Sequence, residues 1–139
     1  MITYLETMPA IAETITADHL HGFFTGWWRK PTPDALLRIL RGSDHAVVAF
    51  DGEAGQVVGY ITAISDGVSC AYIPHLEVLE SRRGQGIGSA LVRRLLEQLN
   101  NLYAIDLMCD ADVQPFYARL GFQPSTGMII RNYDRQQLD

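Results

Sequence analysis

Arg82-Arg83-Gly84-Gln85-Gly86-Ile87-Gly88-Ser89 is the stretch on which the fold turns. It follows an extended run, Ser69 to Leu79, and opens a segment with apolar residues at helical spacing, Ile87, Leu91, Leu95 and Leu99, whose wet face carries Arg93, Arg94, Glu97 and Gln98. A strand that passes through a glycine-rich turn into a helix leaves main-chain N–H groups unpaired at the helix start, where the dipole adds roughly half a positive charge. Phosphate is the natural ligand of such a place. The same glycines can also make a tight turn and nothing more. Arg82 and Arg83 tilt the balance, because they bring charge that a purely structural turn does not require.

Around this junction the chain sorts into short elements. Upstream, Ala46 to Phe50 and Gln56 to Ile64 are rich in β-branched and aromatic residues, and the stretch Asp51 to Gly55 between them holds two glycines, which predicts a hairpin. Asp66-Gly67 turns the chain into the run that ends at Leu79. Residues 2 to 6 alternate as a first strand, and Thr16 predicts a capped short helix through Leu20 and Phe23. The next helix carries a full set of marks: Thr32 as cap, Pro33 in the first position, Asp34 in the first turn, then Leu36, Leu37 and Leu40, with Gly42 at the end. Downstream, Tyr103 to Met108 reads as a strand and Val113 to Leu120 as a helix stopped by Gly121, with a last strand pair around Phe122 and Gly127 to Tyr133. Hairpins come first and one strand–helix–strand unit follows, which predicts an α/β (α+β) fold with a mixed, mostly antiparallel central sheet flanked by helices.

The 139 residues, 47% hydrophobic and 19% charged, predict a single domain over residues 1–139 that needs no disulfide or metal staple. Cys70 and Cys109 match no zinc or redox spacing and read as free thiols, and the four histidines suggest no metal site. Sixteen acidic against eleven basic side chains leave a net charge of -5, the wrong sign for a nucleic-acid partner and a suitable one for a cationic amine. Met1 to Glu6 lack the positive region and apolar stretch of a signal peptide, and no window approaches the ~20 apolar residues that cross a bilayer. The expectation is a cytoplasmic protein without a membrane partner.

Spacing narrows the phosphate ligand. A P-loop needs four residues between its glycines and then Gly-Lys-Ser/Thr, and no such lysine is present. A dinucleotide fingerprint from Gly84 wants Gly or Ala where Ser89 stands, although Asp106 follows at a suitable distance, so a nicotinamide-dependent oxidoreductase stays as a rival.

Leu76-Glu77-Val78 followed by Arg83-Gly84-Gln85-Gly86-Ile87-Gly88 resembles motif A of the GCN5-related N-acetyltransferase (GNAT) family, and Pro115-Phe116-Tyr117-Ala118-Arg119-Leu120-Gly121-Phe122 resembles its motif B. The resemblance implies an acetyl-CoA-dependent transferase with direct transfer to a primary amine in a ternary complex, without a metal. It also implies a splayed parallel strand pair as the cofactor cleft. Leu76, Val78, Arg83, Gly84, Gln85, Gly86, Ile87, Gly88, Ser89 and Phe116 would then bind acetyl-CoA, with Pro74 marking the bulge where the strands part. A non-catalytic acyl-CoA-binding sensor is the alternative that keeps the fold.

The chemistry assigns roles within that frame. Alternation along 69–79 puts His75 and Glu77 on one face and Leu76 and Val78 on the other. Glu77 is the candidate base for an amine whose pKa is about 10.4, a backbone N–H near Val78 the candidate oxyanion donor, and Tyr117 the acid for the leaving sulfur. Glu77 also reads as a solvated strand residue, Tyr117 as a core aromatic and His75 as a structural histidine. Asp106 is either a binder of the acceptor's charge or a strand-end carboxylate; Asp110 and Asp112 read as helix caps, and Cys109 as packing. Phe24 and Trp27, within the aromatic run Phe23 to Trp28, either wall the acceptor pocket or pack helix on sheet, with one tryptophan expected in the core and the other in the cleft. The acceptor is a small-molecule or peptide amine, and a homodimer is compatible with the reading.

Overall fold

Two threonines start the first two helices. Thr32 accepts a hydrogen bond from the Ala35 amide (3.2 Å) at the head of α2 (Pro33–Gly42), which buries Leu36, Leu37 and Leu40 as its spacing predicts. Thr7 does the same for α1 (Met8–Thr14), accepting from the Ala10 amide at 3.2 Å. The helix expected from Thr16 to Phe23 is instead a single 3-10 turn, Ala17–His19, in which the Thr16 amide donates back to His19 Nδ1. Left-handed backbone at Gly22 (φ +94°) and Phe24 (φ +63°) prevents any continuation. The true helix carries its own signal, a Thr cap two residues before Pro9, with Met8, Ile11 and Ile15 at helical spacing.

The computed structural model describes residues 1–138. Five strands, β1 (Ile2–Leu5), β2 (His45–Asp51), β3 (Gln56–Ser65), β4 (Cys70–Val78) and β5 (Ala104–Leu107), lie side by side in chain order. All neighbours are antiparallel except β4 and β5, which α3 (Ile87–Gln98) joins as a parallel pair. The short α4 (Gln114–Ala118) follows β5.

Alternation along β2 divides the interior. Val47 and Ala49 join Leu91, Leu95 and Tyr117 in a core against α3 and α4, whereas Ala46 and Val48 join Ile11, Leu36, Leu40 and Tyr60 in a second core against α1 and α2. Gly59 lets α3 come close: a Cβ there would meet Leu91 Cδ1 at 3.0 Å and Ile87 Cγ2 at 3.2 Å.

Pro74 stands at the break in the sheet. The β3–β4 register slips between Thr62 and Ile64, where Ile73 and Pro74 put one extra residue on β4. Pairing with β5 covers only Cys70 to Ile73, so beyond Pro74 the outer edge of β4 has no neighbouring strand. This is the splayed pair expected from sequence.

The strand pair expected around Phe122 and Gly127 to Tyr133 does not form. Residues 123–132 carry no ladder hydrogen bonds, and no residue between Gly121 and Leu138 has the left-handed backbone that a two-residue hairpin turn requires. The chain passes Met108 at Gly127.

Leu36 is fully buried, so Leu36→Ala should lower unfolding stability by about 2–5 kcal/mol, and Thr32→Ala by about 1 kcal/mol through the lost cap. Urea denaturation checks both; an unchanged midpoint for Leu36→Ala would contradict the placement of α2 on the sheet.

Candidate active site

Where β4 parts from β5, a cleft of about 670 Å³ opens between Leu76–Val78 and the start of α3. Leu79 N–H donates inward to Val58 O (2.9 Å), so strand alternation turns the main-chain groups of Val78 and Leu76 toward the cleft. Arg83 Nε donates to the Val78 carbonyl at 3.2 Å, in keeping with that direction.

The opposite wall is the glycine turn. Gly84 (φ +79°) and Gly86 (φ +81°) are left-handed, and a Cβ at either would meet nothing within 4 Å. Backbone conformation, not crowding, therefore demands glycine here, and the outer side of the turn stays open to a ligand. Gly88 differs: its Cβ would stand 3.5 Å from Phe116 Cζ, so α4 seats its aromatic ring on the first turn of α3. Leu76, Val78, Arg83, Gly84, Gly86, Ile87, Gly88, Ser89 and Phe116 all line this cleft, while Gln85 is exposed and lies outside it. Val113 also lines it; an apolar residue before a helix gives no chemical signal in sequence.

Arg82 lines the cleft and is also paired at its rim. Its Nη2 donates to Asp51 Oδ2 at 2.7 Å, and Asp51 also accepts from the Glu53 and Ala54 amides. The Arg82 hydrogen bond, followed by that from Ala54, holds the Asp51 carboxyl below the usual range. Arg82 thus ties the entry of the glycine turn to the β2–β3 turn, and both Arg82 and Arg83 line the cleft.

Tyr117 closes the inner end. It is 9% exposed and packs edge-to-face on Phe116 (5.0 Å) and Phe122 (5.6 Å). Burial, and secondarily the neighbouring Cys109, push its phenol up to about 12. Tyr117 is the single residue shared with a second cavity, of about 410 Å³, that lies beside β5 and contains Asp106. The structure therefore separates Asp106 from the glycine turn, which removes the acid that a nicotinamide dinucleotide reading needs.

Glu77 also lines the cleft, and its carboxylate reaches to the aromatic loop. Its Oε1 accepts from the Phe24 amide (2.8 Å) and its Oε2 from the Thr25 amide (3.1 Å), holding the left-handed turn at Phe24 to β4. Phe24 itself is buried and stacks edge-to-face on the half-buried Trp27 at 4.9 Å, while Trp28 is exposed. Phe23 and Phe24, not a tryptophan, fill the core, which corrects the expected split of the two tryptophans. His75 shares the Glu77 face; burial lowers its pKa against the opposing pull of the Glu77 charge, so it is neutral at neutral pH. Among the described residues no three His, Cys, Asp or Glu side chains converge as a metal site, and no helix is long and apolar enough to cross a membrane.

Known proteins match this geometry. The profile of the Acetyltransferase (GNAT) family matches residues 12–122. A Deinococcus radiodurans protein assigned provisionally as an acetyltransferase superposes with a TM-score of 0.91 at 45% identity, over 98% of this chain and 92% of that one. A GNAT family acetyltransferase from Streptococcus pneumoniae superposes with a TM-score of 0.72 at 32% identity, over 95% of this chain and 98% of that one. The histone acetyltransferase TAP1 of Glycine max is 30% identical over 70% of this chain, which spans 47% of that relative's length. With its glycine turn, its parted strands and a family profile that runs from α1 to the end of motif B, the chain belongs to the GNAT acetyltransferase family.

Proposed function

We propose that the protein moves an acetyl group from acetyl-CoA to a primary amine by direct attack within a ternary complex. One observation carries this: the gap left by β5 beyond Pro74 opens directly onto the left-handed Gly84–Gly86 turn at the head of α3. The N–H groups of that turn, with Arg83 beside them, form an anion site for the diphosphate. The outward main-chain groups of Leu76 and Val78 pair with the amide-bearing arm much as another strand would, which directs the thioester toward Tyr117.

In the transfer step the amine nitrogen bonds the acetyl carbon and the carbon–sulfur bond breaks. Val78 N–H stabilises the charge that builds on the carbonyl oxygen. Tyr117 donates its phenolic proton to the departing sulfur. Glu77 has one main-chain donor on each oxygen and keeps further lone pairs, through which a water relays the proton lost by the amine. Neutral His75 lies on the same face and adds no positive charge to repel a cationic acceptor. The net charge of -5 supports a cationic amine, as a small molecule or a peptide, and the free thiols of Cys70 and Cys109 suit the reducing cytoplasm as its place of action.

Free-thiol release from acetyl-CoA in the presence of amines tests the activity. Release without any amine dependence would reject transfer, and CoA binding without release would make the protein a sensor module. Tyr117→Phe should lower kcat by about 10²–10⁴-fold with CoA affinity within about twofold; an unchanged kcat would reduce Tyr117 to packing. Because the phenol is pushed up to about 12, it keeps its proton throughout the neutral and mildly alkaline range, and kcat should show no alkaline fall from this group below about pH 10. Gly86→Asp should abolish CoA binding in calorimetry, whereas Gly86→Ala, which carries the same backbone strain without the charge, should retain it at reduced affinity. Equal binding by Gly86→Asp and wild type would remove the diphosphate site from this turn.

A further inference from the structure

We propose that Thr62 and His75 select the acceptor: the preferred amine carries a hydroxyl on the carbon next to the one that bears nitrogen, and an amine with a carboxylate there is rejected. The inference rests on the transferase reading above and names its acceptor.

The β3–β4 register sets Tyr60 opposite Glu77 and Thr62 opposite His75. Directly opposed side chains stand about 5 Å apart, and every second residue of a strand faces the same way. Tyr60 belongs to the core against α1 and α2, so the four side chains make one polar square on that face of the sheet. The Tyr60–Glu77 side lies under the aromatic loop: Phe23 packs edge-to-face on Tyr60 at 5.1 Å, and Glu77 accepts from the Phe24 and Thr25 amides. Burial, and secondarily the Glu77 charge, push the Tyr60 phenol up, so it keeps its proton. Glu77 lines the cleft together with Val78 and Tyr117, so the square adjoins the reacting end of that cleft.

The Thr62–His75 side is unfinished. Thr62 is 0% exposed and its Oγ1 has no hydrogen-bond partner. A buried hydroxyl left in that way lowers stability, and a polar group brought in by a ligand completes it. The ring hydrogen bonds of the histidines belong to His19 and His45, so His75 has its ring nitrogens available as well. Burial lowers the His75 pKa against the pull of the Glu77 charge, and the neutral ring offers one donor and one acceptor. Thr62 likewise donates and accepts. A hydroxyl does both and satisfies the pair. A methyl group in its place leaves both unpaired, and a carboxylate brings its charge against Glu77 with no cation in the square to offset it. Arg29 and Lys30, beyond Trp28 in the chain, are exposed and stand outside the square. Same-face positions of a strand are roughly 7 Å apart, so a nitrogen hydrogen-bonded at Glu77 and an oxygen hydrogen-bonded at His75 need only a short bridge of two carbons between them.

Ethanolamine, propylamine and β-alanine test the proposal, because they differ only in what the second carbon carries. Thiol release from acetyl-CoA gives kcat/KM for each, expressed per unprotonated amine so that their different basicities do not enter. Ethanolamine should exceed propylamine by at least about a hundredfold, with β-alanine below both. Thr62→Val keeps the volume and removes the hydroxyl; it should cut the preference for ethanolamine over propylamine by at least about tenfold, whereas Thr62→Ser should keep it. Thr62→Val should also raise the urea midpoint, because the unpaired hydroxyl is gone, while a threonine that only holds the sheet would lower it. Recognition is read without turnover from the His75 ring protons in NMR, assigned with His75→Asn: they should shift with ethanolamine and stay in place with propylamine. Equal kcat/KM for ethanolamine and propylamine, a preference that Thr62→Val leaves unchanged, or His75 signals unmoved by ethanolamine each overturn the proposal. Release with no amine at all, beside His75 shifts specific to ethanolamine, would instead reject the transferase reading and leave the recognition of the hydroxyl standing.

Discussion

The cleft exists because β4 stops pairing with β5 at Ile73. Pro74 has no N–H to give a ladder, and the extra residue it shares with Ile73 bends the strand away from its parallel neighbour. Buried main-chain groups are normally paired, so a run of strand edge left open in the middle of a sheet is a site that waits for hydrogen-bonding chemistry. The glycine turn then lies where the open edge ends, because β4 runs directly into it and Gly59 lets α3 settle close on β3. One break in one ladder thus sets the position of the anion site, the open peptide groups and Tyr117 relative to each other.

Long-range side-chain contacts hold the two halves of this site in place. Arg82 and Asp51 fix the entrance of the glycine turn to the β2–β3 turn, and Glu77 fixes the aromatic loop to the sheet. The Phe24 turn adopts a backbone region that a bulky residue avoids, at a cost of about 1–3 kcal/mol, and the Glu77 carboxylate offers it two charge-assisted hydrogen bonds in return. Glu77 therefore carries a positioning task beside any part in proton transfer. Removing it would disturb the acceptor side of the cleft as well as its chemistry.

What could be read from the sequence follows the range of the interactions. Thr32, Pro33 and the leucines of α2 act within one helix, Pro74 acts on its own ladder, and Gly84 and Gly86 act through their own φ angles, so each left a local mark. The β4–β5 splay and nine of the ten expected cofactor-side residues accordingly fall on the cleft. The pairing of Arg82 was hidden because its partner Asp51 lies 31 positions away, and the engagement of Glu77 because Phe24 lies 53 positions away. The C-terminal strand pair shows the same limit. Met128 to Ile130 have strand character, but pairing needs a partner edge and a turn, and the backbone after Gly121 supplies no such turn. The early helix was misplaced because Thr7 and Thr16 compete as caps, and the left-handed residues that end the second candidate are visible only in three dimensions.

The most direct test of the central claim compares CoA with pantetheine, which keeps the amide-bearing arm and lacks the diphosphate, by titration calorimetry at two salt concentrations. A cleft that grips the diphosphate through the Gly84–Gly86 turn and Arg83 should bind CoA at least about a hundredfold more tightly, with a preference that shrinks as salt rises. Equal affinity for the two molecules, or no binding of CoA at millimolar concentration, would contradict it.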